Sequence, residues 1–325
     1  MKFTKLPLSQ QKLIDLMSAR GLPLSTPDEL AIARRALDRV GYFRLSGFML
    51  PFVHGGGGGN RHNFKPGASI EKIVSLHDFD ASLRMHCIEG LSQLEVAIRA
   101  SICDHLSRSH GSHWPLSSKP FKAGKHADSL EALAKAAEFD VNCGQPLQRR
   151  SRDTHQFLDR YYIKYTDPVT RMPPGWMVRE CASFRTWAFL FEGLETAEQK
   201  QISDAWQFPS GKRVDHTILA DWFHSLSILR NRCAHHGRIT HKKFPFAPIA
   251  PRDQSVAHLF RGTREDLRTL MVVISVLLKC VDPRSLWSRK LYKFLDWQSM
   301  VDIGAAAGFT AWNQSSWTED PLWTF

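Results

Sequence analysis

The sequence predicts an all-α protein built as a helical bundle, and three observations carry that prediction. Apolar residues recur three and four positions apart over long stretches, the longest series being Ile73, Leu76, Phe79, Leu83, Leu91, Leu94, Ile98 and Ile102. Helix-start signals are well formed. In Thr26-Pro27-Asp28-Glu29 the threonine caps, the proline takes the first helical position and the glutamate sits where it can bond back to the cap. No segment alternates apolar and polar residues with the period of a strand, and there is no internal repeat, so packed helices are the simplest architecture.

Leu8, Leu13, Leu16 and Met17 mark a first short helix over 8–20. A second starts at Thr26, runs through Leu30, Ala33, Leu37 and Val40, and stops at Gly41. The aromatic stretch 42–53 fits either an extended segment or a helix. Residues 55–59 are consecutive glycines. A phosphate-cradling loop needs a lysine and a Ser/Thr opening a helix, whereas Asn60-Arg61-His62-Asn63 follows, so a flexible surface loop is expected. Residues 69–106 carry the longest helical pattern, with Gly90 as a candidate break. On it Asp80/Arg84 and Glu95/Arg99 stand four apart, a spacing that serves surface ion pairs or the internal scaffolding of a site.

Residues 107–146 are less regular and read as a central insertion with one helix near 127–139. A helix over 153–165 follows, then the breaks Asp167-Pro168 and Pro173-Pro174-Gly175, then a helix over 176–194. Leu219, Trp222, Leu226, Leu229 and Cys233 form one apolar seam on a helix beginning near Ile218. A further helix covers 263–280. The tail from Leu286 holds Trp287, Trp297, Trp312, Trp317 and Trp323, which predicts that it packs back on the body.

With 325 residues, 43% of them hydrophobic and 23% charged, the chain can bury a sizeable core and is not disordered by composition. Its formal charge of +11 suits a polyanion partner, nucleic acid or an anionic membrane surface, and also a basic solubilising surface. Acidic residues interrupt the positive charge throughout, so no basic tail stands out. The longest apolar run, 269–278, falls short of the ~20 residues of a membrane span; no membrane partner is expected. The six cysteines are widely spaced without a CxxC pair, and the N-terminus carries no secretory leader pattern. The reducing cytoplasm is the expected location.

Residues 230–239, RNRCAHHGRI, concentrate the chemistry. Cleaving RNA without a metal requires a base for the 2′-hydroxyl proton, an acid for the 5′-oxygen and cationic donors for the crowded phosphorane. His235 or His236 can act as base or acid, Arg230 can clamp the non-bridging oxygens, and Asn231 can bond the phosphate or hold a histidine tautomer. Extended as a straight helix, Arg230 and His235 lie about 140° apart, and Arg230 and His236 about 120° apart on the other side. One copy makes a poor paired acid–base site, so the spacing favours a homodimer with a shared site.

Arginine followed by histidine at this spacing recurs at Arg99/His105, Arg108/His113, Arg150/His155 and Arg252/His258, so spacing alone decides nothing. The context of Arg230 separates it: the seam before it, Asn231 beside it, and the double histidine and Arg238 after it. Cys233, His235, His236 and His241 fit no standard zinc spacing, and no metal or cofactor is expected. Read from the residues alone, a catalytic set and a network that satisfies helix-end carbonyls and core hydrogen bonds stand about equal.

The same decapeptide resembles the RNxxAHHxR signature of the Abi-like proteins, the AbiD/AbiF-type abortive-infection proteins, which belong to the HEPN superfamily of helical ribonuclease domains. Tyr42-Phe43-Arg44-Leu45-Ser46-Gly47-Phe48 resembles the family's YxRLSGY segment, with Phe48 where tyrosine is usual. Leu76-His77-Asp78-Phe79-Asp80 with Leu83-Arg84 resembles LYxFDxxLR, with His77 in place of tyrosine. Leu94-Glu95 with Ile98-Arg99 resembles IExxLR. Pro173-Pro174, Trp176-Met177 and Glu180 resemble PPxWMxxE, and Gly308-Phe309 with Trp312 resembles GFPxxW. The resemblance runs in order over about residues 5–325. It is weakest at 55–59 and 107–150.

It implies one Abi-like domain, with a HEPN core at about 69–282, an N-terminal helical segment at 1–53 and a packed C-terminal tail at 283–325. It implies RNA as substrate or regulatory partner and a role in phage defence or as a toxin. Arg230 and His235 become the paired catalytic residues, Asn231 and His236 their supports, and Glu95 and Arg99 positions behind them. The resulting expectation is a metal-independent endoribonuclease that leaves a 2′,3′-cyclic phosphate, with RNA along Arg230, Arg232, Arg238, Lys242 and Lys243. The alternative is a non-catalytic RNA-binding or regulatory protein on the same fold, since some relatives of this kind lack catalysis.

Overall fold

Ser9 and Thr26 open the first two helices by the same device, a side-chain oxygen that accepts a backbone N–H three residues on. At Thr26 the device is reciprocal. Glu29 N donates to Thr26 Oγ1 at 3.2 Å, and Thr26 N donates to the Glu29 carboxylate at 2.9 Å, the expected capping box. The structure, a computed structural model, describes residues 6–56, 59–147, 155–298, 302–309 and 317–325. Gly57, Gly58, Arg150, Trp312 and the start of the helix expected over 153–165 lie outside those residues.

The N-terminal segment holds α1 (Gln10–Ala19), α2 (Pro27–Val40) and α3 (Tyr42–Met49). The stretch 42–53 is therefore helical, and a 3₁₀ turn over Leu50–Phe52 closes it. Next comes α4 (Ile70–His110), 41 residues without interruption and about 60 Å long. Gly90 does not break it. Instead Ile274 and Trp287 press so close there that a Cβ would meet Ile274 Cγ2 and Trp287 Nε1 at 2.8 Å. The indole is pinned by donating to His86 O at 3.0 Å. The glycine thus serves close packing. Gly90→Ala gains about 1 kcal/mol of helix propensity but overpacks a rigid indole and a buried methyl, at a cost of about 1–3 kcal/mol. A lower melting temperature is expected, and an unchanged or higher one would contradict the packing argument.

The insertion folds as α5 (His126–Ala136) and a hairpin of β1 (Phe139–Asp140) and β2 (Gln145–Pro146), antiparallel with Phe139 opposite Pro146. The helix expected near 127–139 thus ends at Ala136, and a short sheet follows that the sequence does not signal. Then come α6 (Gln156–Lys164), α7 (Gly175–Cys181), α8 (Phe184–Gly193) and α9 (Thr196–Ser203). The single helix expected over 176–194 is two helices. Ala182 is extended and Ser183 starts α8 afresh by accepting from Thr186 N. The chain continues with α10 (His216–Ala234), α11 (Gln254–Ala257), α12 (Leu267–Val281), α13 (Trp287–Asp296) and α14 (Ile303–Ala307).

The architecture is all-α, as the periodicity predicted. Helix α4 is its axis and packs against α2, α3, α7, α8, α9, α10 and α12. Of the tail's tryptophans, Trp287 and Trp323 are buried, and Trp323 Nε1 donates to Trp317 O at 2.8 Å. A buried bidentate pair also fastens the tail: Arg268 of α12 donates to both carboxylate oxygens of Asp320 at 2.5 and 3.0 Å. Trp297 departs from the expectation, being 87% exposed. Among the described residues no helix is long and apolar enough to cross a membrane.

Candidate functional site

The seam predicted on α10 is buried: Leu219, Trp222, Leu226, Leu229 and Cys233 all face the core. It fixes the rotation of the helix, so its last turns carry Arg230, Asn231 and Arg232 at the border between core and solvent. Helices α10 and α4 run antiparallel. Residues Arg230, Cys233 and Ile239 meet Glu95, Cys87 and Asp80 in turn, one sequence rising as the other falls.

Arg230 Nε donates to Glu95 Oε2 at 3.1 Å, and Arg99 donates to the other oxygen of the same carboxylate. Glu95 is buried, so one carboxylate is shared by two guanidinium groups, leaving a net positive charge. Arg230 is anchored through Nε alone. Its two amino groups make no hydrogen bond among the described residues, and the side chain is 33% exposed. The outer edge of the fork is therefore free for a bidentate oxyanion.

Helix α10 ends in a Schellman motif. His236 N donates to Cys233 O at 3.1 Å and Gly237 N to Arg232 O at 2.7 Å, with His236 in the left-handed region at φ 57°. Glycine is the residue that suits this position. A Cβ on the next residue, Gly237, would meet Arg232 Cγ at 2.7 Å. The motif turns the backbone out of the helix, so the wheel angles of a straight helix do not describe His235 and His236. Both histidines are exposed, and their rings make no hydrogen bond among the described residues. Relief of the left-handed strain should make His236→Gly more stable by about 0.5–1 kcal/mol, read as a raised unfolding midpoint.

What holds the returning chain is Asp80, 0% exposed. Its Oδ1 accepts Ile239 N at 2.8 Å, Thr240 N at 2.9 Å and Thr240 Oγ1 at 2.9 Å, while Oδ2 is paired with Arg84. Asp80/Arg84 and Glu95/Arg99 are thus internal scaffolding and not surface pairs. Glu95 holds one end of the motif and Asp80 the other. The Cys87 thiol is pushed well above its ordinary value by its hydrogen bond to Cys233 and by burial, so it stays protonated inside the interface.

The predicted basic surface divides. Arg232 Nε donates to Arg238 O at 2.8 Å, and Arg238 donates to Gly47 O, joining α3 to the motif. Desolvation pulls the Arg238 pKa down, while Asp80 opposes this. Both arginines tie backbone as well as presenting charge. Lys243 is exposed and Lys242 partly so, without a hydrogen bond among the described residues. Asn231 O accepts from His235 N at 2.9 Å. Cys233 is turned inward, away from the exposed His235 and His236, and no three His, Cys, Asp or Glu side chains converge on a metal-sized site among the described residues. The central place of Asp80 was hidden in the sequence, where only its i,i+4 partner showed.

Neither the curated proteins nor the solved structures contain a match to this chain. A family model does match, that of the Abi-like proteins, over residues 35–241, a span that includes α3, α4 and the whole decapeptide. With well over half its length covered, and with the two ends of its candidate site held by motif residues inside that span, the chain belongs to the Abi-like protein family.

Proposed function

We propose that this protein is a metal-independent endoribonuclease of the HEPN type, of the AbiD/AbiF kind, acting as a homodimer in phage defence or as a toxin. Family membership supports the defence role. The observation that most supports the chemistry is Arg230, anchored through Nε by Glu95 with its amino edge open, on the same helix end as two exposed histidines.

A histidine takes the 2′-hydroxyl proton as the 2′-oxygen attacks phosphorus. Arg230 holds the non-bridging oxygens of the phosphorane. The bond from phosphorus to the 5′-oxygen breaks, and a second histidine protonates that oxygen. The products are a 2′,3′-cyclic phosphate and a 5′-hydroxyl. His235 and Arg230 carry the step, with His236 and Asn231 in support and Arg232, Arg238, Lys242 and Lys243 along the RNA path. No group within one chain orients either imidazole among the described residues, which favours a second copy completing the site. The same observation supports the rival reading, a non-catalytic RNA-binding or regulatory protein.

The test is cleavage of end-labelled RNA in excess EDTA. Persisting cleavage with cyclic phosphate ends is expected, and light scattering should find a dimer. Loss of cleavage in EDTA, or 3′-hydroxyl ends, would sink the mechanism; a strictly monomeric active species would sink the shared site. The more stable His236→Gly should cleave more slowly. RNA binding without cleavage would leave the rival reading.

A further inference from the structure

Helix α6 and the residue after it carry Phe157, Arg160, Tyr161, Lys164 and Tyr165 at spacings of three and four, which places them on one face. That face and the first turn of α7 enclose a cleft of about 510 Å³, within the range of small-ligand sites. Its floor is fixed. The Tyr161 hydroxyl donates to Thr170 O at 2.6 Å and accepts from His113 Nε2 at 3.2 Å. Its mouth is aromatic and exposed, with Trp176 47% and Tyr165 44% accessible. With Phe157 they give the cleft an aromatic rim that is open to solvent.

The charge around the cleft points to its occupant. Arg160 and Lys164 stand four apart on α6, a like-charge spacing that opposes helix formation when nothing lies between them. None of the described lining side chains is acidic. Lys164 Nζ lies 5.3 Å from the Tyr165 ring, joining the cationic and aromatic parts of the rim. Aromatic faces beside cations are what a base and its phosphate need from a single-strand binding site.

The cleft is tied to the motif through α7. Helix α7 packs directly against α4, the helix that carries Glu95 and Arg99. That arginine shares Glu95 with Arg230.

We propose that the α6–α7 cleft is a single-stranded RNA subsite, which stacks one base on Trp176 and Tyr165 and takes the adjacent phosphate on Arg160 and Lys164. The proposal rests on the RNA reading of the Arg230 site and deepens it: bound RNA is single-stranded where it crosses this surface, because a paired base cannot enter the cleft.

The test is fluorescence anisotropy of a short labelled single-stranded RNA titrated with the full-length His235→Ala protein, with Trp176→Ala or the double substitution Arg160→Ala and Lys164→Ala added. Each should weaken binding by about fivefold or more. The double variant should also flatten the salt dependence, its logarithmic slope falling by about 0.7 for each phosphate no longer held. Trp176→Phe keeps a stacking face and should bind nearly as the parent does, which separates stacking from misfolding. Undiminished RNA affinity in both test variants overturns the subsite. So does AMP binding that Trp176→Ala abolishes while RNA affinity is unchanged, since the cleft would then hold a free nucleotide. Cleavage by the otherwise unmodified chain reports on the nuclease reading separately. If cleavage persists while these variants bind normally, only the subsite fails. If RNA binding depends on Trp176 but no cleavage occurs, only the nuclease reading fails.

Discussion

Arg230→Ala is expected to slow RNA cleavage by about 10²–10³-fold, the usual loss for one well-aimed oxyanion donor. His235→Ala is expected to lose about 10²–10⁴-fold, the span of a general acid or base. The two should not multiply, because residues acting on one transition state fail together. Arg230→Lys should not rescue, since an ammonium can neither sit on Glu95 through Nε nor offer two parallel donors outward. The His235 variant should melt with the parent because its ring is exposed and bonds nothing among the described residues. Arg230→Ala removes one of the two cations on buried Glu95, so a modest loss of stability should accompany its loss of rate. Full activity in His235→Ala would remove the catalytic assignment.

The largest effect on stability is expected at Asp80. Asp80→Ala strips three hydrogen bonds from Ile239 and Thr240 and leaves Arg84 buried without its counter-charge. Breaking a buried pair in this way costs about 3–5 kcal/mol, or at least ~5 °C in melting temperature for a chain of this size. Asp80→Asn keeps an acceptor for the two backbone N–H groups but loses the charge facing Arg84, so it should fall between. Because Asp80 holds the chain just beyond His236, surviving protein should also cleave poorly. If Asp80→Ala melts within about 1 °C of the parent, Asp80 is not the anchor of the motif; the fall expected for a buried pair is several times larger.

Local signals carried much of this fold. The Thr26 capping box appears in the structure bond for bond, because it is made within four residues. The α10 seam appears as a buried stripe, because period and burial are two sides of one fact. Elsewhere the local signals are equivocal. Gly90 looked like a break, but its meaning lay in Trp287, far along the chain. Residues 176–194 kept an apolar period across Ser183, and that masked the new N-cap. Trp297 lies among four other tryptophans in the sequence, yet its position at the end of α13 turns it to solvent.

The sequence by itself determined that the protein is helical, that α10 buries one stripe, and that Arg230, His235 and His236 emerge together at its end. These follow from periodicity and adjacency, which a chain carries along its length. Only the tertiary structure decided which carboxylates hold the motif. Asp80 and Glu95 look alike in the sequence, each an acid four residues before an arginine, and either pair could have faced water. Antiparallel packing of α10, and of the chain that returns after it, on α4 buried both, and a buried carboxylate has to find donors. Asp80 found them in Ile239 and Thr240, Glu95 in Arg230, and those bonds set the direction in which the open edge of Arg230 faces.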